Sequence, residues 1–125
     1  MITVSSVMSR HIAGVSLNTK IGVVSELMQK SHISLVPVLD GAILVGIITK
    51  DSVGENPNGE IPAGMIMKTP VFVEEHSDIE HAVSILVKTG YSRLPVVDNK
   101  SNMRITGIVT STGLADVIRR REGKM

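Results

Sequence analysis

Apolar positions along the chain keep two different periods, and the switches between them mark out the elements. Ile21, Val24, Leu27 and Met28 recur at helical spacing, and so do Ile79, Ala82, Val83 and Leu86. Each stretch predicts an amphipathic helix with one face turned to a core. Ser77-Asp78-Ile79-Glu80 reads as a capping box at the start of the second helix, with Ser77 and Glu80 each bonding the other's backbone N–H. Lys88-Thr89-Gly90 suits its end, where glycine accepts a left-handed turn.

After each helix comes a short apolar run broken by proline. The first is Ile33-Ser34-Leu35-Val36-Pro37-Val38-Leu39-Asp40, the second Tyr91-Ser92-Arg93-Leu94-Pro95-Val96-Val97-Asp98. Proline has no N–H to give to a ladder, so each run predicts an edge strand, or one with a bulge at that point. Turns follow at Asp40-Gly41 and at Asn99-Lys100-Ser101-Asn102. A second strand then carries a glycine at a matching place, Gly46 in residues 43–49 and Gly107 in residues 103–110.

The chain is therefore written twice. Val7-Met8-Ser9-Arg10 and Ile66-Met67-Lys68-Thr69 open the two copies, and each is followed by helix, strand, turn, strand and the start of another helix. The copies divide the chain into residues 1–60 and 61–125. One copy alone exposes a face of a short sheet, and stacking two buries both faces. The class expected is α+β, an α/β sandwich of two related halves.

Composition narrows the function. Thirteen basic residues against twelve acidic ones is too even a balance for a general nucleic-acid or membrane-surface binder. With one Phe, one Tyr and no Trp, the core must be built from Val, Ile, Leu and Met, and aromatic platforms for single strands are missing. Met8, Met28 and Met67 fall at apolar positions of the repeat. Cysteine is absent, which excludes disulfides and cysteine-based metal sites or nucleophiles. No apolar run approaches the roughly 20 residues of a membrane span, and Met1-Ile2-Thr3-Val4 does not open a signal peptide. A cytoplasmic protein is expected.

The ordered set of Val7-Met8-Ser9-Arg10, helix, Val36-Pro37-Val38-Leu39-Asp40 and Gly46-Ile47-Ile48-Thr49-Lys50-Asp51, present twice, resembles the cystathionine-β-synthase (CBS) domain, a family that occurs in tandem pairs. The resemblance runs from about Val4 to Ile118. It implies two β-α-β-β-α units related by pseudo-twofold symmetry, clefts between them for adenosine-containing ligands (AMP, ADP, ATP, S-adenosylmethionine or NAD), and association into a homodimer. It implies regulation rather than catalysis, with the nucleotide as regulatory ligand and no cofactor required.

Carried onto this chain, the family pattern puts Thr49 and Asp51 at the ribose. A carboxylate has two acceptor oxygens for two adjacent hydroxyls. Ser92 and Arg93, just before Pro95, take the places that meet phosphate, for which a guanidinium fork is suited. Pro70, Val71 and Phe72 stand where adenine is held. In the second cleft Thr112 replaces the ribose carboxylate, with Thr110 beside it, and Ser34 and Leu35 bring no basic group. One competent cleft and one weak or empty one are expected. Residues 52–64 contain three glycines and two prolines, so the helix after Asp51 should be lost or reduced to a turn, whereas the second copy keeps its helix from about Ser111 to Arg121.

Other groups carry less. Asp51 is also compatible with a simple N-cap after Thr49, and Arg93 with a solvated strand arginine. His76 and His81 are five apart, which does not set both on one helical face as a zinc pair requires, so no metal is expected. Glu74 and Glu75 complement a helix N-terminus, and Arg119, Arg120, Arg121 and Lys124 a helix C-terminus. No phosphate-loop or nucleophile-elbow motif occurs. The function expected is an adenosyl-nucleotide sensor whose signal passes to an unidentified regulated protein or within a dimer, the alternative being a ligand-free dimerisation or protein-interaction module.

Overall fold

A computed structural model describes residues 1–123; Lys124 of the basic tail lies outside them. Two three-stranded sheets carry the architecture, one in each repeat. The first consists of β1 (Val15–Ser16), β2 (Leu35–Asp40) and β3 (Ile43–Thr49), with α1 (Ile21–Ser31) crossing between β1 and β2. The short helices α2 (Lys50–Gly54) and α3 (Ala63–Ile66) follow. The second consists of β4 (Val73–Glu74), β5 (Arg93–Val97) and β6 (Ile105–Thr110), with α4 (Ile79–Thr89) as crossover and α5 (Ser111–Gly123) after it. In both, the first pair is parallel and the second antiparallel. The expected β-α-β-β-α unit is thus present twice.

Residues 13–71 form one compact unit, and residues 1–12 with 72–125 form the other. The leading segment of each repeat packs outside its own repeat. Ser9 exchanges both backbone hydrogen bonds with Ile108 of β6, at 2.8 and 2.9 Å. Lys68 does the same with Ile47 of β3, at 2.8 and 3.0 Å.

This arrangement explains the prolines. β2 and β5 are the central strands of their sheets, not edges as expected. Pro37 stands opposite Ile47 and Pro95 opposite Ile108. Each isoleucine spends its N–H and its C=O on the leading segment at its far side, so the proline faces a non-hydrogen-bonded position and owes the ladder no donor. On the other flank β1 meets only Val38 and Leu39, and β4 only Val96 and Val97. The expected irregularity falls one residue past each proline, between Val38 and Leu39 and between Val96 and Val97.

The matching glycines have a steric cause. A Cβ on Gly46 would lie 2.5 Å from Sδ of Met67, and one on Gly107 2.6 Å from Sδ of Met8 and 2.8 Å from the Ser9 carbonyl oxygen. Each leading methionine therefore lies over the glycine of a strand it crosses.

Helix faces follow their period. Ile21, Val24 and Met28 of α1 join Val15, Ile33, Val36, Val38, Ile48 and Ala63 in one buried cluster. Ile79, Ala82 and Leu86 of α4 are buried likewise. Gly90 closes α4 in the left-handed region at φ 77°, as expected, its N–H bonding the Leu86 carbonyl at 2.8 Å. The N-cap of α4 differs from the expected box: Asp78, not Ser77, accepts the His81 N–H at 2.9 Å. Glu80 turns instead to Arg121 of α5, at 2.9 Å, a partner supplied only by the fold.

Candidate functional site

Thr49 ends β3 and caps α2, and the strand-to-helix turn fixes what its neighbours do. Its Oγ1 lies 3.4 Å from the Ser52 N–H and 3.0 Å from the Ser52 hydroxyl. Both side chains are buried, at 7% and 4% exposure, which makes them a paired hydroxyl couple under the first turn. Ser52 was not singled out from the sequence, though Thr49-Lys50-Asp51-Ser52 has the spacing at which an N-cap and the third helical residue meet. Asp51 stands one residue earlier and is exposed, in the first turn of α2. The cap is Thr49 and not Asp51, so the Asp51 carboxylate is not occupied as an N-cap acceptor.

Arg93 opens β5 opposite Thr110. It is half-buried, and its Nε is buried without a hydrogen-bond partner among the described residues. Removal from water lowers the basicity of the guanidinium. A buried cationic donor without an acceptor is costly, and an anion would offset that cost. Ser92 beside it is exposed, and its carbonyl accepts the Ser111 N–H at 2.8 Å.

The same turn is built differently after β6. The Thr110 hydroxyl accepts the Gly113 N–H at 3.1 Å and lies 3.4 Å from the exposed Thr112 hydroxyl. Where β3 leads to Ser52 and Asp51, β6 leads to Gly113 and Thr112, with no carboxylate in the turn. Ser34 is exposed before β2, its carbonyl accepting the Lys50 N–H at 2.9 Å. Pro70, Val71 and Phe72 are half-buried in the segment before β4.

Within single units the fold thus brings together Thr49, Asp51 and Ser34 on one side, and Ser92, Arg93, Thr110 and Thr112 on the other. Each of the two ligand sets expected from sequence draws residues from both units.

A second feature was not visible in the sequence. Beside the last turns of α1 lies a cavity of about 600 Å³, lined by Ser25, Met28, Gln29, Ile33, Lys50 and Val53 among others. Among the described residues, no group of three or more His, Asp or Glu side chains is placed to hold a metal ion. None of the described helices is long and apolar enough to cross a membrane.

Comparison with known proteins agrees with the fold. The model of the CBS domain matches residues 4–53 and 63–120. A homoserine O-acetyltransferase of Methanosarcina acetivorans is 39% identical over 118 residues, covering 91% of this chain. The chain spans only 21% of that protein's length. Among solved structures, CBSX2 in complex with AMP superposes with a TM-score of 0.85 at 22% identity, covering 98% of this chain and 99% of CBSX2. The CBS domain pair of MJ0100, in complex with 5'-methylthioadenosine and S-adenosyl-L-methionine, superposes at 0.77 and 23%, covering 97% and 98%.

Proposed function

This chain belongs to the CBS domain family, and on that premise we propose that it is a regulatory module for an adenosine-containing ligand and carries no catalysis of its own. CBSX2 was solved with AMP and the MJ0100 pair with S-adenosyl-L-methionine, which supports the ligand class. The observation that carries the reading is Arg93, a partly buried guanidinium whose Nε lacks an acceptor among the described residues. A phosphate oxygen supplies that acceptor. Asp51 takes the ribose diol with Thr49 beside it, and the segment Pro70–Phe72 takes the adenine. The turn after β6, with Thr112 and no carboxylate, leaves the second ligand set weak. A ligand engaging residues of both units biases their arrangement only by its difference in affinity between the alternatives.

The test separates phosphate from nucleoside recognition. In titration calorimetry, Arg93→Ala should weaken AMP by about tenfold or more, a charged hydrogen bond being worth roughly 1.5–3 kcal/mol. Its affinity for 5'-methylthioadenosine, which has no phosphate, should be unchanged. Equal binding of AMP by parent and variant would remove Arg93 from the site.

The second reading, a ligand-free homodimer or interaction module, is favoured by one observation. Val23 on α1 and Val87 on α4 are 53% and 79% exposed, apolar surface of the kind a partner subunit covers.

A further inference from the structure

The five asparagines of the chain, Asn18, Asn56, Asn58, Asn99 and Asn102, differ in what the next backbone nitrogen is doing. An asparagine loses its side-chain amide when that nitrogen attacks its Cγ, so a nitrogen held elsewhere protects it. The Thr19 N–H donates to the Ser16 carbonyl at 3.1 Å, the Lys100 N–H to Oε2 of Glu74 at 2.8 Å, and the Met103 N–H to the Asn99 carbonyl at 2.8 Å. Asn56 precedes Pro57, whose nitrogen carries no proton to lose. Asn58 precedes Gly59, which brings no side chain to hinder attack and whose N–H meets no acceptor among the described residues. Asn58 is exposed, and its Oδ1 accepts the Glu60 N–H at 3.0 Å. Negative charge develops on that oxygen as the nitrogen adds to Cγ. A backbone N–H already aimed at it stabilises the tetrahedral intermediate as an oxyanion hole does.

We propose that Asn58 is a site of self-modification, at which the chain converts the asparagine to aspartate and isoaspartate with water as co-reactant. The Gly59 nitrogen bonds to Cγ of Asn58 and gives its proton to solvent. The Cγ–Nδ2 bond breaks, Nδ2 leaves as ammonia, and a succinimide closes. Water then adds to one of the two ring carbonyls. Breaking the new bond to Cγ yields aspartate on an unaltered backbone. Breaking the original peptide bond yields isoaspartate, with Cβ inserted into the main chain. The two products act differently on α1. Its N-cap Lys20 makes no side-chain cap bond, and the Gly59 and Ile61 carbonyls accept the Gly22 and Ile21 N–H groups instead, both at 2.9 Å. Aspartate keeps an acceptor for the Glu60 N–H and leaves this cap in place. Isoaspartate lengthens the chain immediately before Gly59 and draws the two carbonyls out of register with the helix. The start of α1, which carries the buried Ile21 and Val24, is thereby loosened. The proposal stands independently of nucleotide binding, since no residue assigned to the ligand lies in residues 56–61.

The test ages the full chain in mildly alkaline buffer, folded and in parallel unfolded in guanidinium chloride, and follows each asparagine by peptide mapping in a mass spectrometer. In the folded chain Asn58 should convert first, and no more slowly than in the unfolded chain. Asn18, Asn99 and Asn102 should convert at least about fivefold more slowly folded than unfolded, because a hydrogen bond must first release the attacking nitrogen. Amide exchange read by NMR then follows the consequence. At Ile21 and Gly22 it should be at least about fivefold faster in the isoaspartyl form than in the parent, while Asn58→Asp exchanges as the parent does. Asn58→Ser, which keeps an acceptor for the Glu60 N–H, should show no change at these amides on ageing. An Asn58 that converts more slowly folded than unfolded, or later than another asparagine of the folded chain, would overturn the site. An isoaspartyl form with the parent's protection at Ile21 and Gly22 would overturn its effect on α1.

Discussion

Replacing Gly107 by alanine tests whether the leading segment is held against β6 as described. The added Cβ would lie 2.6 Å from Sδ and 2.9 Å from Cγ of Met8, and 2.8 Å from the Ser9 carbonyl oxygen. A methionine side chain can swing away, but the Ser9 oxygen is fixed by its hydrogen bond from Ile108, at 2.9 Å. Relief therefore requires the segment to lift, stretching the Ser9–Ile108 pair. Overpacking costs about 1–3 kcal/mol, and two weakened backbone bonds add roughly 1–2 kcal/mol. The gain from a stiffer unfolded chain, about 0.4–1 kcal/mol, offsets part of this. A net loss of roughly 2–4 kcal/mol remains, worth about 6–15 °C in melting temperature for a chain of this size. The assay is thermal and urea unfolding followed by circular dichroism. Gly54→Ala is the control, since nothing lies within 4 Å of its Cβ and α2 gains helix propensity. It should be neutral or stabilising by up to about 1 kcal/mol. A Gly107→Ala protein melting with the parent would refute the packing of Met8 and Ser9 over the strand.

Two further outcomes follow from caps and charges. Asp78→Ala should cost about 1 kcal/mol in urea unfolding and Asp78→Asn much less, because Asn keeps the acceptor for the His81 N–H. The hydrogen bond from Arg121 holds the Glu80 carboxyl below its ordinary range. At Asp98 desolvation pushes upward, but the N–H groups of Asn99 and Arg104 outweigh it and the carboxyl again titrates low. A depressed folded pKa contributes stability above the unfolded carboxyl range and loses it as pH falls through the folded value. Melting temperature should therefore be level from neutral pH to about 5 and drop below about pH 4, the drop being smaller in Asp98→Asn.

Much of this was readable from particular residues. The period of Ile79, Ala82 and Leu86 gave α4, the strand pairs flanked Pro37 and Pro95, and Gly90 marked a helix end as its chemistry requires. The glycines at 46 and 107 were visible as repeats but not as consequences of Met67 and Met8, because the contacts join segments 21 and 99 residues apart. The central placement of Pro37 and Pro95 was hidden for the same reason. It depends on where Ile47 and Ile108 send their hydrogen bonds, and two-residue bridges have no sequence period. The cap of α4 slipped by one because Ser77 and Asp78 are both good caps, and the choice fell with Arg121 drawing Glu80 away. Of the residues proposed for the ligand, Thr49 and Asp51 could be named from the family pattern. Ser52 emerged only once the turn put its hydroxyl on Thr49.

Under the proposed function, this CBS pair holds an adenosine-containing ligand through Asp51. Titration calorimetry of the parent and of Asp51→Ala with AMP, ADP, ATP, S-adenosylmethionine and NAD in turn tests it most directly. Asp51 is exposed and caps nothing, so the variant should fold as the parent does. One saturable site per chain is expected for at least one of these compounds, weakened about tenfold or more by the substitution. Binding of equal strength in the variant, or no heat with any compound at millimolar concentration, would contradict it.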